Sequence, residues 1–81
     1  MKVIDLFNVV KELVRTSPEH IIVLSSDEEG NSYSPLRGIE TNVMYNDGEI
    51  GLESLTEDLK EQGYSEEDVM IDGKKAIILS P

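Results

Sequence analysis

The chain has no cysteine. It therefore has no disulfide to brace a small fold, no thiolate metal site and no cysteine nucleophile. It has one histidine, His20. A serine nucleophile needs a base, so Ser/His/Asp chemistry would depend on that one side chain. His20 precedes an apolar run, where a capping or partly buried histidine is the ordinary reading. Aromatic residues are few and scattered: Phe7, Tyr33, Tyr45 and Tyr64. No basic stripe accompanies them, which argues against nucleic-acid binding. No apolar run approaches the roughly 18 residues of a membrane span. The N-terminus lacks a basic stretch followed by a continuous apolar one, so it does not read as a secretory signal. Neither a GxGxxG nor a GxxxxGK[ST] phosphate loop occurs. A soluble protein of a reducing cytoplasm is the expectation, with no cofactor.

What the chain has in excess is negative charge: 17 acids against 7 bases, net −10 over 81 residues. The distribution is uneven. Residues 27–72 hold fourteen acids and only two bases, Arg37 and Lys60, for a net of −12; the two ends together are +2. Such a middle repels phosphates and anionic lipid and attracts basic protein surfaces. The plain alternative is that the charge keeps a small protein soluble. Eighty-one residues make a single domain, 1–81, whose stability is marginal.

Periodicity predicts four clear elements. Val3, Leu6, Phe7, Val10, Leu13 and Val14 share one face of a helix over 3–15, widened by Ile4 and Val9. Lys11 and Arg15 near its C-terminal end suit the helix dipole, and Pro18 stops it. Ile21-Ile22-Val23-Leu24 reads as a strand over 20–25, unbroken and so expected in the sheet centre with both faces covered. Residues 39–45 and 49–53 read as a hairpin across Asn46-Asp47-Gly48. Thr41 and Asn42 weaken the first of these strands. Residues 54–62 read as a short helix capped by Ser54 or Thr56 and ended by Gly63, with a further turn at 65–69 capped by Ser65. Ala76-Ile77-Ile78-Leu79 is the last buried strand.

The expected fold is α+β. A four-stranded, mainly antiparallel sheet packs against the N-terminal helix, with a short second helix. The two most apolar strands lie side by side or near the middle. One helix cannot cover both faces of four strands, so the second face is polar, covered by residues 54–70, or used for self-association.

The densest polar stretch runs from Ser25 to Leu36, directly after the first apolar strand. A rigid strand presents it, so it is read as either a structural turn or a binding loop. The binding candidates are Asp27, Glu28, Asn31, Ser32 and Tyr33. Asp27, Glu28, Glu29 and Asn31 also offer oxygens suited to calcium or magnesium, with Gly30 free to turn between them. Their spacing is not that of an EF-hand, and a local turn stabilised by Asx and Ser side chains explains the same residues. Glu57, Asp58, Glu61, Glu66, Glu67, Asp68 and Asp72 offer a second set of carboxylates, readable as a solvated face or as a phosphate-like array that enters a basic cleft.

Ser25 to Leu36, with Gly63 to Val69, the Asp72-Gly73 turn and the apolar strand ending in Pro81, resembles a group of small uncharacterised phage and prophage proteins. The resemblance spans nearly the whole chain. It implies a viral origin and a host bacterial cytoplasm, and it transfers no catalytic residue. The compact stretch from Arg37 to Leu52 departs from the longer insertions of that group. The reading is a small acidic non-enzymatic accessory protein that binds a host or phage protein or self-associates as a homodimer. A DNA mimic acting on a host DNA-binding protein and a small-ligand or divalent-metal module are the alternatives.

Overall fold

The helical period at the N-terminus builds α1, Val3–Thr16. The Asp5 carboxylate accepts from the Lys2 N–H at 3.2 Å, and the Ser17 N–H donates to Leu13 O at 2.7 Å, so both ends have partners. Arg15 pairs with Glu12 one turn back. In this computed structural model, which describes residues 1–81, four strands follow. They are β1, Ile21–Leu24; β2, Gly38–Asn46; β3, Glu49–Leu52; and β4, Lys74–Ser80. A short helix α2, Glu57–Glu61, and a 3-10 turn, Glu66–Asp68, lie between β3 and β4. No helix is long and apolar enough to cross a membrane.

The strands form one mixed sheet in the order β1-β4-β2-β3. β4 runs parallel to β1 and antiparallel to β2, and β2 is antiparallel to β3. The fold is α+β and the sheet is mostly antiparallel. The β2–β3 turn is a tight two-residue one, with Asn46 paired to Glu49. Asp47 (φ 47°) and Gly48 (φ 88°) both adopt positive φ, the conformation a right-twisted hairpin needs.

Thr41 and Asn42, which break the alternation of β2, form a bulge: the register against β4 shifts between Glu40 and Val43. Asn42 takes φ 63° and turns its amide onto Ser54. Its Nδ2 donates to Ser54 O, and its Oδ1 accepts from the Ser54 N–H and Oγ, each at 2.9 Å. Ser54 is thereby committed to the bulge, and Thr56 caps α2 by accepting from the Leu59 N–H at 3.2 Å.

β1 is not central. β4 takes the middle because it pairs on both sides, with β1 and with the hairpin, whereas β1 has a neighbour on one side only. Strand parity assigns the side chains to two faces. Ile21, Val23, Val43, Tyr45, Ala76 and Ile78 share the first, with Val43, Ala76 and Ile78 as its buried centre. Met44 and Ile77 are buried on the second. Leu24, expected inside, is 78% exposed and Ile22 is exposed with it, since an edge strand lacks the neighbour that would enclose them.

α1 lies lengthwise along the sheet, antiparallel to β1. Its start is tied where the Met1 ammonium donates to Leu36 O at 2.7 Å, beside the Arg37-to-Ser80 backbone bond at the far end of β4. Its end feeds β1 through residues 17–20. Fourteen helical residues span about 21 Å, close to the length of seven extended ones. Contact with the rest of the protein is narrow. Leu6, Val9 and Leu13 are half-buried, and no residue of α1 is fully buried. Val3, Phe7, Val10 and Val14, expected on the inner face, are exposed. At about 100° per residue this second line stands roughly a quarter turn around the helix from the first. The helix thus meets the protein with one margin of its apolar arc. No α1 residue packs on the first-face cluster.

Five residues in all are buried, and the accessible surface is 6418 Å². A compact monomer of 9.0 kDa exposes about 4,900 Å². The excess is about 1,500 Å². The radius of gyration, 13.7 Å, also exceeds the roughly 12 Å expected at this length.

Candidate functional site

The loop after β1 is ordered by its own polar groups. The Asp27 carboxylate accepts from the Glu29 N–H at 2.9 Å and from the Ser34 hydroxyl at 2.5 Å, and the Gly30 N–H donates to Asp27 O at 3.1 Å. Gly30 turns the chain at φ 77°. The Ser34 hydroxyl, then the Glu29 N–H, hold the Asp27 carboxyl below the usual carboxylate range, with Asn31 adding to them. Each stabilises the charged form.

Asp27, Glu28, Asn31 and Tyr33 line one open concavity of about 540 Å³, shared with Arg37 and Glu40. Ser32 does not join them; it borders a neighbouring depression of about 390 Å³. Arg37 and Glu40 were not among the sequence candidates. They enter because the first residues of β2 run back past the loop, a closeness that sequence spacing does not encode. Tyr33 is 93% exposed, so it does not anchor the loop. No trio of carboxylates or imidazole converges on a point where a cation would sit. His20 stands at the start of β1, five residues and about 17 Å of extended chain before the first loop serine, Ser25. Its Nδ1 is enclosed without a hydrogen-bond partner.

The second set of carboxylates divides between elements. Glu57, Asp58 and Glu61 are on α2, where Lys60 lies 3.3 Å from Glu57. Glu66, Glu67 and Asp68 form the 3-10 turn, where Asp68 accepts from the Ser65 N–H at 2.8 Å.

The exposed line of Val3, Phe7, Val10 and Val14 is not distinguishable in the sequence, because a helical stripe reads as core whether or not anything meets it. An open groove of about 710 Å³ runs along the first face and around the β1 edge, lined by the apolar Ile21, Ile22, Val23, Leu24, Tyr45, Ile50 and Ile78 and by the polar Ser25, Ser26, Glu40 and Ser80. Residues 54–70 contribute nothing to its lining. There β1 presents a free edge. Ser25 N–H bonds Leu79 O, so the alternate residues Ile22 and Leu24 point their backbone groups away from the sheet, and no loop backbone hydrogen-bonds to them. Comparison with protein-family models, curated proteins and solved structures finds no match for this chain.

Proposed function

We propose that this chain is a small acidic, non-enzymatic protein that acts by associating with another protein surface, as an accessory factor whose work is binding. The observation that carries this reading is the uncovered apolar surface. About 1,500 Å² of surface beyond the expectation for a monomer accompanies an exposed line of Val3, Phe7, Val10 and Val14 on α1 and an open apolar groove on the sheet. Large apolar side chains left exposed side by side on a water-facing surface mark interaction sites. The acidic loop supplies the selectivity. Tyr33, fully displayed beside Asp27, Glu28 and Asn31, offers an aromatic anchor ringed by carboxylates, a combination suited to a basic rim on the partner.

The test is a comparison of complexes formed by the wild-type chain and the double variant Phe7→Glu/Val10→Glu. Both positions are exposed, so folding should survive as judged by circular dichroism. The wild type should form complexes, with itself or with a second protein, that the variant loses. An identical set of complexes in both would refute the association reading. Tyr33→Ala with Asn31→Ala should weaken only complexes that fade between low and high salt.

A further inference from the structure

Resting on that association reading, we infer that the partner is a second copy of this chain: two copies related by a twofold axis each seat the outer apolar line of α1 in the open sheet groove of the other.

Three observations converge on this occupant. The first is complementarity within one sequence. The chain carries an apolar ridge, Val3, Phe7, Val10 and Val14, and an apolar groove, yet no α1 residue reaches the groove in its own fold. A ridge and a groove of matching chemistry on one chain are satisfied reciprocally by a twofold pair. The helix already lies along the sheet with the length of β4, so its ridge is long enough to fill a groove bounded by the same strands.

The second is area. Removing the excess surface from each chain buries about 3,000 Å² in the pair, within the span of obligate homodimers. Five buried residues are few for an 81-residue domain, and covering both surfaces would supply the missing core.

The third is charge. A molecule of net −10 repels its own copy unless the contact avoids the acids. The segments that carry the ridge, β1 and β4, residues 1–26 and 73–81, are together +2, while the −12 lies in residues 27–72. The groove takes Glu40, Tyr45, Gly48 and Ile50 from the acidic segment, so Glu40 is the one acid in its lining. The ammonium of Lys11, 5.6 Å from the centre of the Phe7 ring, adds a positive charge beside the ridge.

The test uses the intact chain and its lack of cysteine. Equilibrium sedimentation should give twice the chain mass at micromolar concentration. Tenfold dilution should lower the melting temperature by about 3–5 °C, because folding and pairing are then one equilibrium. Val10→Cys and Ile50→Cys chains, mixed and oxidised, should form a disulfide between the two different variants in preference to either like pair. Phe7→Glu should lower the apparent pairing affinity at least 100-fold. A monomer at 100 µM overturns the inference, and so does a dimer that gives no mixed link. A wild-type monomer whose complexes with other proteins are lost in Phe7→Glu/Val10→Glu would overturn the second copy and leave the association reading standing. Loss of no complex at all would overturn both.

Discussion

β1 and β4 carry nearly the same apolar side chains, Ile-Ile-Val-Leu and Ala-Ile-Ile-Leu, and lie parallel with Ile21 opposite Ala76 and Leu24 opposite Leu79. Their fates differ. Ala76, Ile77 and Ile78 are buried, while Ile22 and Leu24 are exposed. Composition does not separate them; place in the strand order does. β4 has a strand on each side and side chains packed across both faces. β1 has a strand on one side, and the flanking cover never arrives. Equal hydrophobicity thus becomes core in one strand and uncovered surface in the other.

The comparison breaks first at Ile78. Ile78→Asp places an unpaired charge in the buried centre of the first face, a cost larger than the few kcal/mol that hold a domain of this size. The chain should lose its cooperative melt by circular dichroism. Leu24→Asp, at the register-equivalent of Leu79 but on the edge, should change stability by no more than about 0.5 kcal/mol in the single chain. A comparable loss from both substitutions would show that β1 is enclosed after all.

The next effect belongs to the strand that flanks β4 on its other side. Asn42→Ala removes three hydrogen bonds to Ser54 and forces alanine to φ 63°. It should cost about 1–3 kcal/mol in chemical denaturation. Asn42→Gly keeps the backbone free and loses only the bonds, so it should cost visibly less than alanine. Equal costs would mean that the bulge conformation contributes nothing.

The smallest effect is in the loop that leaves β1. The Asp27 carboxyl is held below the ordinary range by the Ser34 hydroxyl and the Glu29 N–H. A depressed carboxyl stabilises the fold at pH above the unfolded value of about 3.9, and that contribution is lost as pH falls through the folded value. In Ser34→Ala the Asp27 titration, followed by carbon NMR, should move up toward the ordinary carboxylate midpoint. An unmoved midpoint would remove Ser34 as the cause.

Much of the fold is legible in the residues because local rules carry it. The helical period of residues 3–14, the Asp47-Gly48 turn and the Thr56 cap each act within a few residues. The candidate loop is legible for the same reason: Asp27, Gly30 and Ser34 make a local turn. Arg37 and Glu40 beside it were not legible, because strand pairing brings them there. The weakness read at Thr41-Asn42 was real, and its meaning, a bulge that secures Ser54, depended on a partner twelve residues away.

The amino-acid sequence by itself determined which segments turn helical or extended, where the chain reverses, and that negative charge gathers between residues 27 and 72, since propensity, periodicity and charge are properties of neighbouring residues. Only the tertiary structure decided which apolar segments become core. That choice depends on strand order and on which margin of α1 meets the sheet, and both are settled by contacts between segments far apart in the chain.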